Sequence, residues 1–579
     1  VKTLISGSRV VQLVKMISGY NRNPGSSDYR EVLGRIEEHL VQEGVESKSI
    51  RRISFPADGK PVTKAMISTV GWQPNKASLW VTKPEMRFIT STRTVPISLL
   101  VGSCPSGGPQ ELELVEFVGS GDYRDKAVLA EGNMDEVFET ACVQGGARCI
   151  VIYSMRNHCE QIGRTPEMLM SATNFLRLKH DRESSTLGVF GFSVDYGAFL
   201  FLRDLVRDGE TKVCAEVDSL IDGNASSEVM EIDLTGGARS CYSMITSHLC
   251  HGSPGANDNA SGAALAVEIA IVLSRESLPP PVRIVLVPEY MESVPYAIEP
   301  KRQQALPKVA INLDMVGEDQ DQTGSSLFLS ESPPVLNQRF DNVLFYNLMK
   351  RVPKFDSIPL RRLYKIPFSA GSDHCAFLLL GVPTPFIGHL PDRYYHTDLD
   401  TPDKCDPDEI EWIGEAVIQS LKDFDCESSE LSRYLKSRQL GDFSYLCEKI
   451  KGGTFSNQLL NLLAKTHEIP ATLLSVLCSE DYSESVYERI SPVFESSIGF
   501  EWISSLPGEE WDDFGNKATL GEFVNIVAAV TRNRSAIEQL AAGYYSLERE
   551  QVSKFVSFLV RSGLLESGGV QNESDRSHR

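Results

Sequence analysis

Twelve cysteines are scattered through the 579 residues without a single CxxC pair. A thiolate zinc ribbon and a disulfide scaffold both need regular cysteine spacing, so these thiols read as reduced and mostly buried. No run approaches the ~20 apolar residues that a membrane span requires. Basic residues are also short, with Lys+Arg 57 against Asp+Glu 78 and a formal net charge of -21. Nucleic acid and anionic membrane would both repel such a chain, which excludes them as main partners. The opening VKTLISGSRVVQLVKMISGYNRNP interrupts its apolar residues with Ser, Gly, Arg, Gln and Lys, so it lacks the core of a signal peptide. A cytoplasmic protein is expected.

What is present is an ordinary globular composition, 41% hydrophobic and 23% charged. The chain is too long for one core and should divide into about three or four domains. One stretch stands out. Residues 247–262 read SHLCHGSPGANDNASG, a polar Gly/Pro-rich loop between a strand-like run, Tyr242 to Thr246, and an apolar helix, Gly262 to Arg275. Loops at the carboxyl ends of strands are where open α/β sheets hold ligands. Downstream, EYMES follows the run VRIVLVP and offers Glu289, NLDMVG centres on Asp314, and YYHTDLDTPD offers His396. Four segments can thus bring His, Asp, Glu, Asp and His to one sheet edge, a donor set suited to metal.

Four regions follow from texture. Residues 1–76 hold a capped amphipathic helix after Pro24 and a strand-like SKSIRRISFP, read as the first part of the catalytic layer. Residues 77–230 are a β-rich inserted module; its His158 and Cys159 have no second pair nearby and read as a solvated loop. Residues 231–426 alternate strand and helix, the signature of an α/β unit with a mainly parallel mixed sheet flanked by helices. Residues 427–579 are helical, ending in an arrangement similar to a winged helix. Glu548, Arg549 and Glu550 sit together on its presumed reading helix, so protein packing or homo-oligomerisation is expected there rather than DNA reading. The closing GGVQNESDRSHR reads as disordered.

Two metals roughly 3.5–4 Å apart can share a carboxylate, activate water and polarise a scissile carbonyl. A neighbouring carboxylate must still carry the proton to the leaving amine. GANDNASG, NLDMVG, GSDHCAFLLLGVP and YYHTDLDTPD, in this order, resemble the co-catalytic zinc exopeptidases of metallopeptidase family 28. More narrowly, the chain is similar to a prokaryotic aminopeptidase-like subgroup with a winged-helix-like tail, and its insert resembles a protease-associated domain. The resemblance implies a zinc exopeptidase fold, one or two zinc ions and a peptide substrate. It implies that His248 binds one metal with Asp314, that Asp258 bridges, and that His396 binds the second. Asn259 and Ser261 would hold the loop. Asp373 and His374 match a motif on the substrate side of the cleft, and support of the cleft wall is an equal reading. Asp398 and Asp400 follow His396 either as acceptors for its imidazole or as turn and cap residues.

Two departures from the family pattern matter. Where adjacent glutamates are usual, this chain has Glu289 alone, which serves as base or as ligand but not both; the base reading implies a weakly bound or absent second metal. Glu292, three residues on, reads as a surface acid. Cys250 replaces an Asp that orients His248, and a thiol is a poor acceptor. His251 could then join the site or replace His248. The leading expectation is an aminopeptidase. The alternatives are a non-catalytic peptidase-fold scaffold and a mono-zinc amine acyltransferase, cyclase or deacylase.

Overall fold

The computed structural model describes residues 4–62, 66–178, 187–237, 241–290, 292–299, 304–450, 457–469, 487–492 and 517–571. Its centre is an eight-stranded mixed sheet in the order Ile50–Ala57, Ala225–Leu234, Val282–Val287, Ser243–His248, Val309–Leu313, Phe386–Leu390, Ser326–Ser330, Leu363–Ile366. The four strands from Val282–Val287 to Phe386–Leu390 run parallel to one another. Ala225–Leu234 joins them antiparallel and pairs antiparallel with Ile50–Ala57.

Strands covered on both faces must be apolar at successive positions. Ile245, Ile284, Leu286, Ile311 and Leu313 point to one face, where the helix Gly262–Ser274 lies. That helix is GAALAVEIAIVLS, apolar almost all round, because the helices Gly7–Ser18, Ser27–Gln42 and Pro407–Asp425 cover it in turn. Its one acid, Glu268, is buried and paired with Arg9. Met244, Val285, Val287 and Ala310 point to the other face, against the helices Ser293–Ile298 and His374–Leu378. Glu292 precedes the first of these and is buried, in contrast to the surface position expected for it.

The insert carries its own seven-stranded mixed sheet. It starts with the strand Gly71–Lys83 and ends with Thr211–Asp222, so it begins before residue 77 and ends before residue 230, the limits read from texture. Residue 230 lies inside a strand of the central sheet. Chain entry and exit touch at one point. A Cβ on Gly71 would stand 2.2 Å from Ala225 Cβ, so only glycine lets the outgoing and returning strands approach this closely.

The tail has the helices Ser429–Ile450, Asn457–Thr466, Lys517–Thr531, Arg534–Tyr545 and Arg549–Arg561. The strand Leu565–Gln571 pairs antiparallel with Tyr487–Pro492, which gives residues 568–571 of the Gly-rich end a structure the sequence did not suggest. The intervening stretches and residues 572–579 lie outside the described residues. Phe523, Val527 and their neighbours share a core with Phe368, Ala370 and Leu378 of the catalytic unit. Tyr545 Oη donates to Phe368 O at 3.0 Å, and Ala370 N donates to Thr519 Oγ1 at 3.1 Å. The tail is thereby packed on the loop that precedes Ser372 and Asp373. No helix among the described residues is long and apolar enough to cross a membrane. None of the described cysteines is in a disulfide.

Candidate metal centre

Three adjacent parallel strands deliver three donors at their carboxyl ends. His248 closes its strand, Asp314 follows Leu313, and Glu289 lies two residues beyond Val287. One donor atom from each of His248, Glu289 and Asp314 lies within 4.8 Å of the others. His248 Nε2 is 3.1 Å from Asp314 Oδ1, while its Nδ1 faces Cys250 O at 3.1 Å. Asp314 Oδ2 accepts from Ser372 Oγ at 2.7 Å, and that hydroxyl accepts from Asn312 at 2.7 Å.

A second group joins it. His251, Asp258 and His396 also bring one donor atom each within 4.8 Å. His396 Nε2 stands 3.0 Å and His251 Nε2 3.6 Å from Asp258 Oδ2. The other oxygen, Asp258 Oδ1, stands 3.4 Å from His248 Nε2. One carboxylate therefore faces both groups, one oxygen to each, which is the arrangement a bridging ligand needs. His248 and His251 are both present at the site, on opposite sides of Asp258, so neither takes the other's place.

The chemistry of the donors fits cations. The Nδ1 atoms of His248 and His251 donate to the backbone carbonyls of Cys250 and Gly252, which points each Nε2 at a carboxylate. His251 Nε2 is buried and has no hydrogen-bond partner. An electron pair in that position gains nothing from the protein and would be satisfied by a metal. Against its own burial, Asp258 is held well below the ordinary carboxylate range by His251 and His396. Burial alone would lower His248; Asp314 and Glu289 outweigh it and push the imidazole well up. Burial drives Glu289 well above the usual range, with His248 opposing and Asp314 and Asp373 adding to the shift.

The loop between His251 and Gly262 is held by hydrogen bonds. Asp400 accepts from Asn257 N at 2.8 Å and Asp258 N at 3.1 Å, so its carboxylate fixes the bridging residue's backbone. Asn259 Nδ2 donates to Ser247 Oγ and Leu313 O, each at 3.0 Å, and its Oδ1 accepts from Gly262 N at 2.9 Å and Met315 N at 3.0 Å. Ser261 Oγ donates to Asn257 O at 2.7 Å and accepts from Val316 N at 3.1 Å. A Cβ at residue 262 would come within 2.4 Å of Leu313 O, which requires glycine there.

Arg22 is the residue that sequence reading missed. Its fully buried guanidinium donates to Leu249 O, Ile17 O, Tyr20 O, Pro254 O and Gly255 O over 2.8–3.2 Å, and its backbone N donates to His251 O at 2.8 Å. Burial lowers it to about 10, against Cys250, Asp258 and Asp400, so it stays charged at neutral pH and offsets part of the site's acidity.

Other expected residues stand further back. Asp373 Oδ1 accepts from Tyr290 N at 3.0 Å, and burial raises its carboxyl to about 6. His374 faces Ser369 O through Nε2 at 2.8 Å and packs between Phe368 and Phe386. Burial lowers it to about 4, which makes it a neutral wall residue at pH 7. Asp398 does not orient His396: its Oδ1 accepts from Thr173 N at 2.8 Å, in the insert. Cys250 Sγ accepts from Glu289 N at 3.1 Å, so the thiol supports the glutamate's backbone.

Three loops that carry donors include a non-glycine residue in the left-handed region: Tyr290 at φ 54, Met315 at φ 61 and His396 at φ 54. Such conformations cost on the order of 1–3 kcal/mol each and persist where neighbours impose them.

The fold and donor set define a candidate co-catalytic metal centre on an open α/β sheet. Residues 231–421 match the model of peptidase family M28. A solved zinc aminopeptidase from Bacillus subtilis superposes with a TM-score of 0.50 at 16% identity, over 72% of this chain and 95% of that one. A solved putative peptidase from Clostridium acetobutylicum gives 0.52 at 12% identity, over 97% of this chain and 96% of that one. At these identities the likeness is one of fold. No curated protein matches the chain.

Proposed function

We propose that the protein is a zinc-dependent aminopeptidase that removes amino-terminal residues from small peptides. The observation that carries this reading is the split of Asp258, with Oδ1 toward His248 and Oδ2 toward His251 and His396. His248, Asp314 and one Asp258 oxygen make three donors for one ion; His251, His396 and the other oxygen make three for its neighbour. His251 thus takes the ligand position that a second glutamate fills in the family pattern. Glu289 is then left over for proton transfer.

When bound, the ion pair would supply an acidified water and a Lewis acid for the scissile carbonyl. Glu289 is partly exposed, unlike the buried His248, Asp258 and Asp314 that it faces, and so can reach a substrate. Kept ionised by the charge of the bound cations, its carboxylate would take the proton of the attacking water and pass it to the departing amine. Cys250 and Asp373 steady it by holding the backbone N–H groups of Glu289 and Tyr290. The insert, which we read as protease-associated-like, borders the His396 side of the cleft, and the winged-helix-like tail backs the opposite wall.

The test is a mixed peptide library, each member with a free and an acetylated amino terminus, incubated with the zinc-loaded protein and followed by mass spectrometry. Stepwise shortening of the free set alone is expected. Glu289→Gln should keep its zinc and slow turnover about 10²–10⁴-fold, the usual worth of a general base. A zinc-loaded wild-type protein that shortens nothing would sink the proposal.

A further inference from the structure

His396 donates its imidazole from a backbone conformation that a residue with a β-carbon avoids, φ 54. Something must hold it there. Two backbone bonds fall on that peptide: Thr397 N donates to Tyr394 O at 3.0 Å within the loop, and from the insert Phe175 N donates to His396 O at 2.7 Å. Around this bond the two segments form a short antiparallel tie. Asn174 bridges Thr397, Asp398 N donates to Thr173 O at 3.0 Å, and Thr173 N donates to Asp398 Oδ1 at 2.8 Å.

The ring of Phe175 completes the tie. It packs on His251 with centroids 4.4 Å apart and meets His396 edge-on at 5.9 Å. Tyr395 stacks on the remaining face of His396 at 3.9 Å. The His396 side chain is nevertheless 23% exposed, against 2% for His248, so side-chain packing alone leaves it the freer of the two ligands. Among the described residues, no hydrogen bond from the insert reaches His248, Glu289 or Asp314, whose positions follow from the central strands.

We infer that Phe175 and its two neighbours are positioning residues for the His251/Asp258/His396 half, so that the inserted module sets the affinity of the second metal and leaves that of the first unchanged. This rests on the co-catalytic reading above. Through its N–H, Phe175 keeps His396 in the left-handed region; through its ring, it keeps both imidazoles turned toward Asp258 Oδ2.

The experiment is a zinc titration of chelator-stripped full-length protein against a chromogenic competitor, with bound metal counted by elemental analysis. Phe175→Pro removes the N–H, and Phe175→Ala keeps it while removing the ring. Asp398→Ala cuts the tie from the other side without altering the insert. Wild type should bind two equivalents. Phe175→Pro should weaken one of them about 10–100-fold, the size seen when a ligand's supporting partner is lost. Phe175→Ala and Asp398→Ala should weaken that same equivalent less, and Phe175→Leu should restore most of what Ala loses. Wild-type affinity for both equivalents in all variants would overturn the inference, as would equal weakening of both. Those outcomes leave the aminopeptidase reading standing, because the titration does not depend on turnover. A wild-type protein that binds no zinc would overturn both.

Discussion

The two halves of the metal centre are built in different ways. His248, Glu289 and Asp314 sit at the ends of three hydrogen-bonded parallel strands, and the sheet's own register sets their spacing. His251, Asp258 and His396 sit on loops, and their spacing is imposed by side chains from elsewhere: Arg22 on the His251 loop, Asp400 under Asp258, Phe175 on His396. The first half lies within the stretch that matches the peptidase family, whereas two of the three supports of the second come from outside it. A segment that matches a family model can thus hold every donor and still depend on its surroundings for their geometry.

Asp258 belongs to both halves, so replacing it should erase the distinction. Asp258→Ala is expected to lose both zinc equivalents and all peptidase activity. At free zinc about 1,000-fold above each dissociation constant, every vacated position also removes roughly 4 kcal/mol of metal-linked stability, readable as a fall in Tm.

Arg22→Met should separate the halves. It strands backbone carbonyls in the interior, with an expected cost of about 3 kcal/mol in denaturant unfolding. The metal held by His251 and His396 should be lost at a lower chelator concentration than its neighbour. Simultaneous release of both ions would count against separate construction of the halves.

The smallest expected effect sharpens the strand-built side. Burial, with Asp373 adding, raises Glu292 from 4.5 to about 8. Its folded value exceeds its unfolded one, so the protonated form favours folding. That contribution is complete below about pH 4.5 and is lost as pH rises through about 8. Glu292→Gln keeps the neutral shape at every pH. It should therefore match wild type at pH 4 and exceed it at pH 9 in urea unfolding, the difference opening between about pH 4.5 and 8. An equal gain at both pH values would place the cause elsewhere.

The same asymmetry decides what the sequence could tell. Donors at strand ends are legible because an apolar run followed by Asp, His or Glu is a local pattern, as in NLDMVG and VRIVLVPE. The α/β class was legible for the same reason. Arg22 was not, since its partners are backbone carbonyls, two of which lie more than 230 residues away and leave no residue signature. Glu292 looked like a surface acid because nothing within a few residues shows that Ser293–Ile298 packs on the sheet. The insert's far boundary was missed because Ala225–Leu234 alternates much like the insert's own strands. Its pairing with Ile50–Ala57, some 175 residues earlier, and with Val282–Val287 assigns it to the central sheet.

The contact of Gly71 with Ala225 has a mechanical meaning. Chain entry and exit at one spot make a single pivot, about which an appended body could swing freely. The strap from Phe175 to His396, with Arg164 Nη1 donating to Arg393 O at 2.8 Å, gives that body further anchorage and closes the linkage into a loop. A lever held this way cannot rotate without bending its ties, and one of those ties is a peptide bearing an imidazole of the reaction centre. A torque applied to the outer sheet, by a bulky peptide or by a neighbouring molecule, would be transmitted to that side chain.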